Sequence, residues 1–341
     1  MSEQAQGVPD DYPGRVVTFP AGIDKLVFAM LGIQSPDEAT RQQFILELSQ
    51  QFAHLKAPVR LERCQFVDQN EQSCDMLLAY CTDHQAYQQW WQSAKTQQAW
   101  QSLTSLQKNE ETGYWREVLL THKNHFNYAA GVEDKVASAA LLPLAPSNTF
   151  GYWGAYRDRL PASKTDEFAS EYAEVPAIRN HQTKGRRLRV AQPDNLCLIR
   201  EGQGWGNCEA EEKTVWDEHM ADVVDEWVNF LGEDPHATGC LSVRKCNEVE
   251  VSQSSSQPRQ CQIAFLLSLE HIENAARTHS THLAVHKSFV KMYREPKFEP
   301  KMHVWVEVHI LKRNDLVTEY INCHNRTGLL PFFDITDLGS A

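Results

Sequence analysis

The stretch Ala79-Tyr80-Cys81-Thr82-Asp83-His84 ends an apolar run of strand length and begins a long segment, residues 83–106, that is rich in Gln and Trp. A similar junction, Leu266-Leu267-Ser268-Leu269-Glu270-His271, follows at an offset of 187 residues and also leads into a helical segment. The two junctions share few identical residues, but each marks a strand that passes directly into a helix. A junction that recurs in this way predicts two copies of one structural unit.

Outward from the first junction, the apolar pattern predicts the order strand, helix, strand, strand, helix, strand. These elements cover residues 26–33, 37–52, 59–67, 76–81, 83–106 and 114–120. Around the second junction, strands are predicted at 151–157, 195–200, 239–246, 262–269, 302–311 and 317–323, and helices at 211–231 and 270–293. The sequence therefore predicts an α+β fold of two ferredoxin-like repeats packed sheet on sheet. Two unrelated α+β domains remain the alternative.

The predicted units set the domain boundaries. Residues 1–20 form a polar N-terminal arm, residues 21–130 form the first repeat, and residues 145–341 form the second. The one dense basic stretch, Lys184-Gly185-Arg186-Arg187-Leu188-Arg189, lies in the second unit. We interpret it as the start of a solvated strand.

Composition limits the possible function classes. Of 341 residues, 42% are hydrophobic, which is enough apolar material for a substantial core, and the net charge is −12. An acidic chain lacks the clustered cations that binding to a nucleic-acid backbone needs. No apolar run reaches the roughly 18 residues of a membrane span, and the N-terminus lacks an apolar signal core. Nine cysteines without a CxxC pair predict neither a disulfide framework nor a cysteine-rich zinc site, so we expect a cytoplasmic protein.

Histidine is the most informative residue type. His279, His282 and His286 are spaced so that they share one face of the predicted helix 270–293. A zinc site would need a further ligand, and the chain has no HExxH motif. A haem site would need one inward-facing histidine. The third interpretation is a helix whose histidines are solvated or satisfied within the protein.

Two further segments carry candidate residues. In the predicted strand 302–311, His303 alternates with Val306, so the two side chains face opposite sides of the sheet. Arg157 and Arg159 follow the predicted strand 151–157, where a guanidinium group can bind a carboxylate, an oxime hydroxyl or a haem propionate. The alternative for these arginines is a salt bridge to Asp158 or Glu167. No P-loop, GxGxxG or GxSxG motif supports a nucleotide-binding or serine-hydrolase function.

With these segments in order, the chain resembles the aldoxime dehydratases over residues 19–337. The family patterns YWGxxRDRxPxS, DNxxLIR[ST]xQxW, HPTH, WHEV and YxNCHPxTG match five segments of this chain. They are Tyr152-Trp153-Gly154-Ala155-Tyr156-Arg157-Asp158-Arg159-Leu160-Pro161-Ala162-Ser163, Asp194-Asn195-Leu196-Cys197-Leu198-Ile199-Arg200-Glu201-Gly202-Gln203-Gly204-Trp205, His279-Ser280-Thr281-His282, Trp305-Val306-Glu307-Val308 and Tyr320-Ile321-Asn322-Cys323-His324-Asn325-Arg326-Thr327-Gly328. The resemblance implies a dimeric α/β-barrel-type fold related to the chlorite dismutases, and a homodimer.

The resemblance also implies a cofactor and a reaction. It implies haem b, ferrous in the active form, with His282 as the proximal ligand to iron. It implies a small-molecule substrate, an aldoxime that binds iron through nitrogen and loses water to become a nitrile. In the family a distal His donates the proton, while an Arg and a Ser or Thr hydrogen-bond the oxime oxygen. The family Arg matches Arg159.

Two departures from the family pattern lie in the family's distal pocket. The distal His falls on Val306, and the hydroxyl residue falls on Glu201. Glu201 is the candidate for a relocated general acid, because an apolar pocket would raise its pKa while Arg159 would lower it. A register shift of three residues, which would bring in His303 instead, is the alternative.

Three functions therefore stay open. The first is a haem lyase that acts on an aldoxime or on a related N–O or N–N substrate. The second is a peroxidase-like haem enzyme, since a distal Arg with a carboxylate can assist O–O cleavage. The third is a non-catalytic haem-binding protein.

Overall fold

The structure is a computed structural model that describes residues 14–103, 111–147, 156–294 and 297–340. Fourteen strands lie in these ranges: β1 (Gly14–Val17), β2 (Lys25–Gln34), β3 (Val59–Val67), β4 (Ser73–Cys81), β5 (Gly113–His122), β6 (Phe126–Ala130), β7 (Leu144–Ser147), β8 (Arg186–Val190), β9 (Leu196–Gly204), β10 (Cys240–Val249), β11 (Ser256–Leu266), β12 (His303–Leu311), β13 (Leu316–Ile321) and β14 (Ile335–Ser340). Eight α-helices accompany them: α1 (Glu38–Phe52), α2 (His84–Gln92), α3 (Ala94–Ser102), α4 (Ala210–His219), α5 (Ala221–Glu233), α6 (Pro235–Thr238), α7 (Leu269–Thr278) and α8 (Ser280–Arg294). The predicted α+β class is confirmed.

All fourteen strands belong to one sheet, whose order is β14-β8-β13-β5-β2-β4-β3-β10-β11-β9-β12-β6-β1-β7. Two four-strand blocks stand out in it, β5-β2-β4-β3 and β10-β11-β9-β12. In each block the first strand along the chain lies between the third and the fourth, and the second pairs with the third. The blocks join where β3 pairs antiparallel with β10, with Cys64 opposite Glu248. The two halves therefore share one strand order.

Two strands cross the predicted boundary between the repeats. Strand β13, from the second unit, pairs with β5 of the first. Strand β6, from the first unit, pairs with β12 of the second, with Ala129 opposite Val306. Hydrogen bonding therefore links the units on both sides of the boundary.

Three apolar cores lie on the two faces of the sheet. The inner core collects side chains from both halves, for example Phe28, Trp115 and Trp305. The outer face of the first half packs against α1, α2 and α3. The outer face of the second half packs against the helices α4, α5, α7 and α8, and Val306 belongs to this core. Since side chains alternate between the faces of a strand, neighbouring residues of β9 and β12 serve different cores.

The three longest predicted helices, 83–106, 211–231 and 270–293, are each interrupted by one residue. Ser93 separates α2 from α3, Met220 separates α4 from α5, and His279 separates α7 from α8. Ser93 has extended backbone angles and its hydroxyl accepts a hydrogen bond from Thr96 N, so it caps α3. His279 is likewise extended. Apolar periodicity did not reveal these breaks, because it runs on through a single capping residue.

The predicted strand 151–157 is only partly described. Residues 151–155 lie outside the described ranges, and Arg157–Arg159 form a short 3-10 helix rather than a strand end. The predicted strand start at Lys184–Arg189 is confirmed by β8, which is paired on both sides by β13 and β14. Within the described ranges, no helix has the length and apolar character that crossing a membrane requires.

Candidate active site

A cavity lies between the outer face of the second half-sheet and the helices above it. It encloses about 750 Å³ including its open mouth, and a neighbouring cavity of about 380 Å³ shares four of its residues, Tyr156, Glu201, Trp227 and His282. The larger cavity is lined by Tyr156, Glu201, Gln203, Trp216, Met220, Val224, Trp227, His282, Val285, His286, Phe289, Val304, Trp305 and Val306. His282 thus faces the same space as Glu201 and Val306, the two distal-pocket positions that depart from the family pattern.

His282 is held in one tautomer by the chain that precedes it. It lies in the first turn of α8, and its Nδ1 is 2.7 Å from the carbonyl oxygen of Ala276 in α7. Because a carbonyl oxygen only accepts, Nδ1 carries the proton and Nε2 has the lone pair. Burial lowers the pKa of His282, so the imidazole is neutral at neutral pH. The Trp227 ring packs 4.7 Å from it, centroid to centroid. A neutral, oriented imidazole of this kind is the form that ligates metals.

The other two histidines of the motif have different surroundings. His279 stacks on Phe230, and its Nδ1 lies 2.8 Å from Thr281 Oγ1. His286 lies at the exposed rim of the cavity. Among the described residues, the donor atoms of these histidines do not gather as a shared ion requires. The three-histidine zinc interpretation therefore has no structural support, and one inward histidine remains.

The opposite wall is formed by paired residues of β9 and β12. Glu201 lies directly opposite Val306, so both side chains are on the face that points toward the helices. Glu201 is partly buried, and burial raises the pKa of its carboxyl group to about 7. Arg159 does not offset this shift. Desolvation therefore decides the question that the sequence left open.

Arg159 lies on the same side of the sheet but outside the lining of both cavities. Its side chain is buried, its Nε donates to Asn127 Oδ1 at 3.0 Å, and its guanidinium lies 5.6 Å from the Tyr156 ring centroid. Tyr156 itself lines the cavity. Arg159 thus reaches the cavity wall through Tyr156.

His303 and Arg157 are held elsewhere. His303 faces the inner side of the sheet, where its Nε2 is 3.2 Å from Tyr128 Oη, and burial lowers its pKa to about 4. The structure therefore separates His303 from the cavity, as the strand alternation predicts. Arg157 pairs with Glu273 at 2.8 Å, rather than with either carboxylate that we expected. Its Nη1 still donates to the backbone oxygen of Glu167.

Sequence reasoning did not identify the cavity walls. Trp216, Met220, Val224 and Trp227 follow helical spacing, which indicates a buried face but not a void beside it. Gln203 is a matched position of the second family pattern, but it was given no role, although it follows Glu201 by two residues and so shares its face. Gln203 and Gln262 are within hydrogen-bond distance of each other, at 3.2 Å, and both are buried.

A family model described as "Haem-containing dehydratase" matches residues 29–329. Among curated proteins, the phenylacetaldoxime dehydratase of Bacillus sp. (strain OxB-1) is 29% identical over 328 residues, which cover 94% of this chain and 91% of that protein. The aliphatic aldoxime dehydratase of Pseudomonas chlororaphis is 28% identical over 333 residues, with 95% and 93% of the two chains covered.

Solved structures show the same likeness. A crystal structure of an aldoxime dehydratase in complex with butyraldoxime superposes with a TM-score of 0.85 at 25% identity, covering 94% of this chain and 89% of that one. A second crystal structure of an aldoxime dehydratase superposes with a TM-score of 0.84 at 27% identity, covering 95% and 93%. The similarity therefore extends over nearly the whole architecture.

Proposed function

This chain belongs to the haem-containing dehydratase family, and from that premise we propose that it converts an aldoxime into a nitrile and water. As a family member it is a haem-containing lyase. The observation that carries the proposal is the cavity itself, in which a neutral imidazole on α8 faces a space whose sheet wall bears a carboxyl group with a pKa of about 7.

The residues present fit a haem. His282 has its Nδ1 committed to a carbonyl, and this leaves the Nε2 lone pair as a ligand for iron. Trp216, Trp227 and Phe289 make the walls large, flat and apolar. We infer that the group is haem b in its ferrous form. A haem held by His282 would supply an electron-rich iron that activates the C=N–OH group.

Glu201 supplies the proton that the leaving hydroxyl needs. With a pKa of about 7, its carboxyl group is partly protonated at neutral pH and can act as a general acid. Val306, directly opposite on β12, keeps that part of the wall apolar and so sustains the raised pKa. We assign Arg159 a positioning role through Tyr156, since the arginine does not line the cavity.

The fold proposal goes further than the α+β class. We infer that the halves are ferredoxin-like repeats with boundaries at 21–130 and 145–341, since the two blocks share one strand order. We further propose a homodimer of the dimeric α/β-barrel type, which follows from the family resemblance, and a cytoplasmic location, which follows from the cysteine usage. Light scattering of the haem-loaded protein tests the dimer, and a monomer mass would contradict it.

The decisive experiment is anaerobic turnover of phenylacetaldoxime by the dithionite-reduced, haem-loaded protein, with nitrile as the product measured. We expect nitrile formation, and a rate that falls as pH rises through about 7, because Glu201 then loses its proton. Glu201→Gln should bind haem normally and lose about two to four orders of magnitude in rate. Glu209→Gln, at an exposed carboxylate outside the cavity, is the matched control.

Full activity of Glu201→Gln would remove the role of Glu201, while nitrile formation would still support the reaction. No nitrile from protein that binds haem would favour another N–O or N–N substrate, or a non-catalytic haem protein. The peroxidase-like alternative needs an arginine beside the carboxyl group, and Arg159 lies outside the lining of both cavities.

A further inference from the structure

Three cysteines meet on the inner face of the sheet, where the two halves join. Cys64 lies on β3, Cys246 on β10 and Cys261 on β11, and all three are fully buried. Cys246 is directly opposite Cys261 across the strand pair. The Sγ atoms of Cys64 and Cys261 are 3.8 Å apart, and all three sulfur atoms lie within 4.8 Å of one another. One ion can therefore contact all three sulfur atoms after only small side-chain movements.

This cluster has its own electrostatic environment. Arg200 is fully buried, and its Nη2 lies 3.7 Å from Cys261 Sγ. Its guanidinium is fixed by ion pairs to Glu62 at 2.8 Å and Glu248 at 3.0 Å. A fixed cation this close to a sulfur atom favours the thiolate, which is the form that binds metals.

The cluster is separate from the cavity of the proposed reaction. Arg200 and Glu201 are neighbours on β9, so their side chains point to opposite faces of the sheet. Arg200 reaches the cysteines in the inner core, whereas Glu201 lines the outer cavity. The sheet therefore lies between the two sites.

The donor set selects the kind of ion. Within the described part of the chain, the group of candidate ligands at this place consists of the three thiols. A closed structural zinc site takes four ligands, whereas Cu(I) is a soft cation that accepts thiolates in low coordination numbers. We propose that Cys64, Cys246 and Cys261 form a buried Cu(I) site that links the two halves of the sheet. Copper enters as Cu(I) without a change of oxidation state, and the thiol protons are released to solvent.

Burial determines how such a site behaves. The sulfur atoms have no contact with solvent, so the ion enters while the chain folds and then exchanges slowly. One ligand comes from the first half and two from the second. Bound copper should therefore raise the unfolding temperature of the whole molecule, because the folded chain brings the three thiolates together and so binds the ion more tightly than the unfolded chain.

The test is to express the protein with and without added copper, purify the haem-loaded form anaerobically and measure copper per chain. We expect one copper per chain in the wild type, and its loss in Cys246→Ser and in Cys261→Ser. Cys240→Ser is the matched control, since Cys240 is a buried free cysteine on the same strand but in the outer core. Retention of copper in the cluster variants, or its absence from the wild type, would overturn the proposal.

A second measurement keeps the test independent of whether a variant folds. X-ray absorption of the copper-loaded wild type should show sulfur ligands only, and its unfolding temperature should exceed that of the copper-free protein. Nitrogen or oxygen ligands would overturn the proposal. A native mass lower by two hydrogen atoms, with no copper, would also overturn it, because the cluster would then hold a disulfide.

Discussion

The helix pairs α2–α3 and α7–α8 are interrupted at corresponding places, by Ser93 in the first half and by His279 in the second. After Ser93, helix α3 turns Thr96 and Trp100 into the protein. After His279, helix α8 turns His282 toward a cavity, and Met292 is the one residue of this fully described helix that is buried. The same break therefore turns packing residues inward in one half and a cavity-lining histidine inward in the other.

The side chains that line the space beneath the helices also differ between the two halves. In the first half, Trp90 stacks on Phe52 at 4.3 Å and Trp91 lies under the Arg116 guanidinium at 3.9 Å, and these rings border cavities of about 470 Å³ and about 700 Å³. In the second half, Trp216 and Trp227 line a cavity of about 750 Å³ that His282 on α8 and Glu201 on the sheet also line. Both halves therefore leave space beneath their helices, and the shared strand order does not decide which side chains line that space.

The largest expected effect comes from removing His282, which lines the cavity of the second half. His282→Ala should abolish stoichiometric haem binding, because the remaining α8 imidazole, that of His286, is at the exposed rim of the cavity and lacks the carbonyl contact that orients His282. The absorption spectrum of the purified protein after haem addition measures this. His286→Ala, one turn further along at the exposed rim, should bind haem as the wild type does. Normal haem binding by His282→Ala would show that the ligand has been assigned wrongly.

The next effect tests the sheet wall of the same cavity. The double variant Glu201→Ser with Val306→His recreates the residues that the family pattern has at these positions. We expect it to recover dehydration to within about tenfold of the wild type, whereas Glu201→Ser alone should be about two to four orders of magnitude slower. Steady-state rates on phenylacetaldoxime decide the matter. Equal rates for the single and double variants would mean that position 306 does not reach the reacting oxygen.

A smaller effect compares one buried tryptophan from each half, Trp90 and Trp227. Trp90→Ala removes a buried ring from the first half and should lower the free energy of unfolding by about 3–5 kcal/mol, with haem affinity unchanged. Trp227→Ala removes a buried ring that packs against His282, so it should lower stability and also weaken haem binding. Urea unfolding and haem titration of both variants provide the measurement. Weakened haem binding in Trp90→Ala, or unchanged haem binding in Trp227→Ala, would contradict the comparison.

The smallest effect concerns the interruption itself. Ser93→Ala removes the cap of α3 and should cost about 1 kcal/mol of stability without altering haem affinity. Thermal unfolding monitored by circular dichroism would detect it. Ser102→Ala, at the C-terminal end of the same helix, serves as the control because its hydroxyl donates to Ala99 O and does not cap the first turn. An equal loss in both variants would show that Ser93 has no special capping role.

Much of the site was visible in the chain because it depends on local spacing. Strand alternation placed His303 on the face opposite Val306, and the structure agrees. Helical spacing grouped the three histidines, but only the side chain of His282 combines burial with an oriented tautomer. Spacing reports direction along one element, whereas burial depends on what packs against it.

Arg159 shows where such reasoning stops. The sequence placed it at a strand end and allowed it to act on Glu201. In the structure it lies in a 3-10 turn, bonds to Asn127 and leaves the raised pKa of Glu201 unopposed. Side-chain reach across 42 residues of chain is a tertiary property, which no local pattern contains.

The sequence by itself determined the α+β class, the order of the principal strands and helices, and the family. It also named His282, Glu201 and Val306 as candidate site residues. These follow from periodicity and from motif order, both of which are local. The tertiary structure alone decided that β3 joins β10, that β6 and β13 cross between the halves, and that a cavity separates α8 from the sheet. It also brought Cys64, Cys246 and Cys261 together, although the sequence has no motif that links them. Strand pairing and packing between distant segments create these features, because they join residues that are close in space and far apart along the chain.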